Sequence, residues 1–165
     1  MRKNIRERGV KLPDGRSCSS ISVSEKSRKF TVVLDGASTV KKIHVDKEPY
    51  VSLLARRCDY AIEVCRDVSK QVFFFIELKG EDVVKAAEQL AYTVEHLSVY
   101  RHLLDYKPFV KCHACIVASH GMKPAISTRF QLYERQIKRR GFESLKCKTH
   151  QLTAKVSSGG EVSYE

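Results

Sequence analysis

The chain has no run of about 18 apolar residues, the length that a helix needs to cross a bilayer. Its first residues, Met1-Arg2-Lys3-Asn4, lead into charged residues instead of the apolar core of an export signal. These absences exclude a helical membrane protein and predict a soluble, cytoplasmic protein with no membrane partner. Six cysteines would form a disulfide framework in a short secreted chain, but without an export signal we expect reduced thiols and no disulfides.

Acidic residues are scarce relative to basic ones, with 19 Asp and Glu against 30 Lys and Arg. The formal charge of +11 attracts polyanions and favours nucleic acid as the partner. A basic surface that serves only solubility is the alternative, which charge alone leaves open. The basic residues concentrate in segments 2–11, 27–42 and 136–148.

The sequence also lacks an internal repeat, and its 165 residues suit one domain. An apolar share of 42% is enough to offset chain entropy, which argues against a disordered chain. We expect a flexible basic and polar arm over residues 1–28, a folded core over 29–157, and a polar C-terminal tail over 158–165.

Alternating and wholly apolar segments predict an α/β domain with a mixed central sheet of about six strands flanked by helices. The Asp35-Gly36 pair predicts a hairpin between the first two strands. The negative charges of Glu81 and Asp82 suit the dipole at the start of the first helix, and Gly141 marks the end of the second. The predicted strands are Lys29 to Leu34, Thr39 to Val45, Cys58 to Val64, Gln71 to Leu78, Phe109 to Ala118 and Leu145 to Val156, and the predicted helices are Glu81 to about Tyr100 and Ala125 to Arg140.

Charged residues appear where the most apolar strand ends, in Glu77-Leu78-Lys79. The two-residue period of a strand places Glu77 and Lys79 on one face, roughly 7 Å apart. A neighbouring strand can add Asp59 to the same place. Two carboxylates, with the carbonyl of Leu78, form an oxygen-rich site that suits Mg²⁺ or Mn²⁺. Such an ion can activate water and stabilise charge on a phosphate, while Lys79 orients the nucleophile.

This arrangement resembles the PD-(D/E)XK nuclease superfamily, whose signature is an Asp on one strand followed by an acid-x-Lys on the next. In this sequence those residues are Asp59, Glu77 and Lys79, followed by a helix, and the proline of the signature is missing because Arg57-Cys58 precedes Asp59. The resemblance implies a restriction-endonuclease-like fold and a Mg²⁺- or Mn²⁺-dependent nuclease, similar in size to small Holliday junction resolvases. It also implies a supporting role near the metal for Gln89, which is otherwise a residue at the boundary of the buried helix face.

Many members of that superfamily carry a further Glu before the first strand, for which the arm offers Glu7 or Glu25. Similar small nucleases often work as dimers that cut two strands, so a homodimer is expected. DNA is favoured over RNA as the substrate. The competing hypothesis is an inactive nucleic-acid-binding protein, or a nuclease subunit, that keeps the fold without the catalysis.

The basic second helix and the paired cysteines each allow two interpretations. The basic second helix has either a solvated face or a face that grips phosphates. The pairs Cys112-x₂-Cys115 and Cys147-x₂-His150 can in principle close a zinc site, but a strand directs Cys112 and Cys115 to opposite faces, which favours buried thiols. The candidate phosphate-gripping residues are Arg129, Arg135, Lys138, Arg139 and Arg140.

Overall fold

The computed structural model describes residues 7–8, 18–36, 38–47, 56–65, 70–96, 111–120 and 127–165. This part of the chain is a mixed α/β structure, mostly strand, with two sheets and two α-helices. The strands are β1 (Glu7–Arg8), β2 (Cys18–Glu25), β3 (Arg28–Asp35), β4 (Thr39–His44), β5 (Tyr60–Cys65), β6 (Gln71–Lys79), β7 (Lys111–Ala118), β8 (Phe142–Thr149), β9 (Gln151–Val156) and β10 (Val162–Tyr164). The helices are α1 (Val83–Glu95), α2 (Thr128–Arg139) and a 3₁₀ turn at Val45–Lys47.

The larger sheet is mixed and six-stranded, in the order β1-β4-β5-β6-β7-β8, and it contains β1 instead of the predicted first strand, Lys29 to Leu34. Strands β6, β7 and β8 are parallel, whereas β4, β5 and β6 pair antiparallel. A second sheet, in the order β10-β9-β3-β2, was not predicted. The parallel strands β6, β7 and β8 therefore finish at the same edge of the larger sheet, which we call the strand-end edge.

Both faces of β6 are buried, which explains its continuous apolar run. Phe73 and Phe75 pack with the helices on one face, and Phe74 and Ile76 pack with the second sheet on the other. The two described helices thus cover one face only, and a four-stranded sheet takes the place expected for helices on the other face. The described residues thus form three layers, in the order helices, larger sheet and second sheet.

The two helices follow their predicted patterns. The apolar stripe of α1, which includes Val83, Leu90 and Val94, is buried against the sheet, and the side chain of Asp82 caps its N-terminus. Ser127 caps α2, and Gly141 follows its end with a φ of 86°, a conformation that favours glycine. The predicted extension of α1 from Leu97 to Tyr100 lies outside the described residues. No helix in the described ranges is long and apolar enough to span a membrane.

The predicted hairpin around Asp35-Gly36 is wrong. Strand β3 pairs with β2 and β9, whereas β4 pairs with β1 and β5, so the two predicted partners belong to different sheets. Alternate side chains of β3, including Phe30 and Val32, are fully buried in the layer between the sheets. Burial of this row accounts for the separation, because it places β3 in the second sheet, beside β9, with these side chains packed against the larger sheet.

The expected arm does not extend over residues 18–25, which form β2. Serines alternate there with Ile21 and Val23, and these two apolar side chains are buried between the sheets. The predicted last strand is also divided. His150, with a φ of 59°, separates β8 in the larger sheet from β9 in the second. The expected tail contributes β10, which pairs with β9.

Candidate active site

Asp59 and Glu77 meet at the strand-end edge. Asp59 immediately precedes β5 and lies across from the end of β6, because Tyr60 pairs with Ile76. The amide N–H of Asp59 donates to Oε2 of Glu77 over 3.2 Å, and the N–H of Leu78 donates to Oδ2 of Asp59 over 2.7 Å. Each carboxylate is thus held by the backbone of the strand that carries the other. The sequence predicted that these two residues converge, and the structure brings them together.

Both carboxyl groups are desolvated beside each other. Glu77 is 2% exposed, and burial, reinforced by the charge of Asp59, raises its pKa from 4.5 to about 8. Burial also raises the pKa of Asp59, with the charges of Glu25 and Asp46 acting in the same direction. The pair therefore retains a proton at pH values above those at which a carboxylic acid ordinarily ionises. A cation between the two groups would replace that proton.

Lys79 is held over the pair by a chain of hydrogen bonds. Its Nζ lies 3.9 Å from Oε1 of Glu77 and donates to Oε1 of Gln89 over 3.0 Å. Nε2 of Gln89 donates in turn to the carbonyl of Arg57 over 3.1 Å. Gln89 lies in α1, one turn before Thr93, where helical spacing allowed it to reach back to Lys79. The amide thus connects the lysine to the segment that carries Asp59.

Thr93 is a supporting residue whose contact sequence reasoning missed. Its hydroxyl is fully buried, donates to the carbonyl of Gln89 and accepts from the N–H of Cys58, both over 2.8 Å. These bonds fix the position of Asp59, the next residue, relative to α1. A buried threonine at helical spacing from Gln89 was the available signal, although its partner lies 35 residues earlier in the chain.

The residues present fit a hard divalent cation. Mg²⁺ is commonly held by one or two carboxylates, together with waters and substrate phosphates. Asp59 and Glu77 supply two such carboxylates, and their mutual repulsion would be relieved by a cation. Among the described residues, no group of three or more His, Cys, Asp or Glu side chains is arranged to hold a metal. The role expected for the carbonyl of Leu78 stays a prediction, and it is the N–H of this residue that contacts Asp59.

The strand-end edge also receives the turn between β2 and β3. This turn carries Glu25, whose charge acts on Asp59, and Arg28, whose guanidinium lies beside Gly80. Glu7 lies instead in β1, which pairs with β4 at Val40. Of the two acids that the arm offered, Glu25 is near enough for its charge to act on Asp59.

The basic residues predicted on the second helix are all exposed. Helix α2 runs from the strand-end edge, where β7 finishes, to the opposite edge, where β8 begins. Its 12 residues span about 18 Å. Arg129 therefore lies near the strand-end edge, whereas Lys138, Arg139 and Arg140 lie toward the other edge. Arg140 pairs there with Glu95, at the end of α1, and Arg135 lies one turn before Arg139.

The cysteines follow the buried-thiol interpretation. Cys112 packs on the helix side of β7 and Cys115 on the side of the second sheet, so the two thiols point to opposite faces as predicted. Burial raises the pKa of Cys115 and of Cys147 to about 12, which disfavours the thiolate that zinc requires. The free thiols are those of Cys58, Cys65, Cys112, Cys115 and Cys147.

Comparison with known proteins identified no relative of this chain. No protein-family model matches it, and no significant match was found among curated proteins or solved structures. The candidate site therefore rests on its own geometry and chemistry.

Proposed function

We propose that this protein is a metal-dependent nuclease that hydrolyses phosphodiester bonds, with DNA as its substrate and a restriction-endonuclease-like core. The observation that carries the proposal is the meeting of Asp59 and Glu77 across two strands, with Glu77 buried and Lys79 held beside it. A buried pair of carboxyl groups is costly to a fold unless a proton or a cation compensates it. A divalent ion would compensate it and would also attract a phosphate.

The roles of the side chains follow from their positions. Mg²⁺ or Mn²⁺, held by Asp59 and Glu77, would supply an activated water and neutralise charge on the scissile phosphate. Lys79 is 27% exposed, so its ammonium can reach a substrate while Gln89 keeps it oriented. Arg57 orients Gln89 through its carbonyl. The +11 charge of the chain favours encounter with a polyanion.

The test is cleavage of labelled single-stranded, duplex and branched DNA, and of RNA, in Mg²⁺, in Mn²⁺ and in EDTA. We expect metal-dependent cleavage that Glu77→Gln and Asp59→Asn each lower at least about 100-fold, because several kcal/mol of charge stabilisation is lost. The matched control is Glu63→Gln. Glu63 is a buried acid of β5 that accepts from Gln71 over 2.5 Å, about 13 Å along the strand from Asp59. We expect this variant to cleave as the wild type does.

Absence of cleavage of every substrate in both metals would overturn the proposal, as would full activity of both site variants. Binding that persists in EDTA without cleavage would instead identify the inactive nucleic-acid-binding protein. The native mass of the assembly tests the expected homodimer, which stays a prediction.

A further inference from the structure

Arg28 is a buried cation that is only weakly compensated by the residues that the structure describes. The residue is 5% exposed, yet its ion-pair partner is Glu25, whose side chain is half exposed. Nη2 lies 3.3 Å from the Glu25 carboxylate, and Nε donates to the Glu25 carbonyl over 3.3 Å. A pair of this kind contributes little stability, and burying a guanidinium is costly. The contacts with Glu25 therefore offset little of the cost of burying this charge.

The guanidinium lies at the same strand-end edge as the candidate site, on the second-sheet side of β6, whereas Glu77 and Lys79 point to the helix side. Nη1 lies 3.8 Å from the place where a Cβ on Gly80 would stand, and Gly80 follows Lys79 directly. Because Gly80 has no side chain, no side chain of its own lies between the guanidinium and the end of β6. Glu25, on the same turn, is near enough for its charge to raise the pKa of Asp59. The β2–β3 turn and the carboxyl pair therefore lie at one edge.

Backbone hydrogen bonds fix this turn against the larger sheet. The N–H of Lys29 donates to the carbonyl of His150 over 2.9 Å, and the N–H of His150 donates to the carbonyl of Ala118 over 2.8 Å. Ser119, after β7, donates to the carbonyl of Gly80 over 2.8 Å. The second sheet thus delivers the start of β3 to the ends of β6 and β7 through a continuous series of bonds.

The turn adds two exposed cations to the buried one. Lys26, with a φ of 54°, and Lys29 are both exposed, on either side of Ser27 and Arg28. Three cations thus lie within four residues of this turn, with Lys29 on the outer face of the second sheet, whereas most of the basic residues of α2 lie toward the opposite edge. Arginine offers a planar fork of donors that matches two phosphate oxygens.

We propose that the β2–β3 turn is the phosphate-binding wall of the site, with Arg28 beside Gly80 as its central anion-binding residue and Lys26 and Lys29 as its outer contacts. The ligand is a backbone phosphate on the second-sheet side of the end of β6, next along the nucleic-acid strand from the phosphate that Lys79 faces on the helix side. The inference rests on the proposed function, because it names how that site holds a nucleic-acid strand. The role of the turn is binding and positioning, and no bond is made or broken by Arg28.

The experiment measures the affinity for labelled single-stranded and duplex DNA as a function of salt, with Ca²⁺ in place of Mg²⁺. Each phosphate contact contributes about 0.9 to the slope of log affinity against log salt for duplex DNA. We expect Arg28→Gln to lower the slope by about 1 and to weaken binding about tenfold at low salt. Arg28→Lys keeps the charge and loses the fork, so it should keep the slope and still weaken binding.

Two further variants keep the test decisive if Arg28→Gln does not fold. Lys26→Asn/Lys29→Gln changes exposed residues only, with Asn chosen because it tolerates a positive φ, and should also reduce the slope. Glu25→Gln removes the carboxylate that competes with phosphate for Arg28, so binding should strengthen. A merely structural pair predicts the reverse, with weaker binding and a lower melting temperature. Lys111→Gln is the charge-matched control, because Lys111 begins β7 at the opposite edge and pairs with Glu161.

Wild-type slopes in the Arg28 and double-lysine variants would overturn the inference, as would an equal loss in Lys111→Gln. In either case the Glu77→Gln cleavage test still decides the proposed function separately. If the turn variants lose affinity but Glu77→Gln cleaves as the wild type does, the binding wall stands and the catalytic assignment fails. A wild-type protein that binds no nucleic acid would overturn both.

Discussion

Glu77 makes the stability of the metal-free protein depend on pH. Its pKa is about 8 in the folded protein against an ordinary value of 4.5. Between these values the folded state holds a proton that the unfolded state has released, so the free energy of unfolding falls as pH rises and levels off above about 8. Glu77→Gln keeps a neutral group of the same shape and removes this loss. The variant is therefore expected to be more stable than the wild type in alkaline solution.

The magnitude follows from the two pKa values. Each pKa unit corresponds to about 1.4 kcal/mol, so the difference between 4.5 and about 8 sets an upper limit of about 5 kcal/mol. Asp59 shares the pair, and its own pKa is raised by burial and by the charges of Glu25 and Asp46. The gain from Glu77→Gln is thus expected to be near zero at about pH 4.5 and to reach several kcal/mol at about pH 9.

Urea unfolding in EDTA across this pH range measures the effect. The control is Glu81→Gln, because Glu81 is exposed just before α1 and loses little hydration on folding. Adding Mn²⁺ at alkaline pH should raise the melting temperature of the wild type and leave that of Glu77→Gln unchanged, since bound metal stabilises the folded state alone. A stability difference between wild type and Glu77→Gln that does not change with pH would refute the reasoning.

Three other substitutions test the supporting structure. Gln89→Ala should lower cleavage about tenfold or more at nearly unchanged melting temperature, because Lys79 loses its 3.0 Å bond, whereas equal activity would remove Gln89 from the site. Thr93→Val should cost about 1–3 kcal/mol in urea unfolding, since the N–H of Cys58 loses its acceptor, and a neutral result would contradict that role. Gly141→Ala should cost about 1 kcal/mol of stability without affecting cleavage, because its φ is 86°, and an unaltered melting temperature would count against strain there.

The central features of the fold were predictable because they depend on local pattern. The apolar run of β6 and the stripe of α1 each determine their own element, and β6 fixes which face Glu77 occupies. The second sheet depends on pairing between distant residues, such as Phe30 with Leu152. No local signal distinguishes that parallel pairing from the hairpin that Asp35-Gly36 suggested.

The site divides in the same way. Asp59, Glu77, Lys79 and Gln89 were predictable, because strand alternation and helical spacing bring them to one edge. The contribution of Arg28 was not, because its proximity to Gly80 depends on where the second sheet packs. Ser20, Ser22 and Ser24 alternate with Ile21 and Val23 as in a strand, and that signal was obscured by the polar, turn-like composition of the segment.

The burial that stabilises this domain also determines where its charges can lie. Strand β6 is enclosed on both faces from Gln71 to Leu78, so an ionisable side chain within it has no access to bulk water. Glu77 lies near the buried end of that strand, two residues before Lys79, which is partly exposed. At this boundary a carboxyl group is desolvated enough to favour a proton or a cation, yet close enough to the surface for a phosphate to approach. A position further inside β6 would lose access, and a position beyond Gly80 would lose the desolvation.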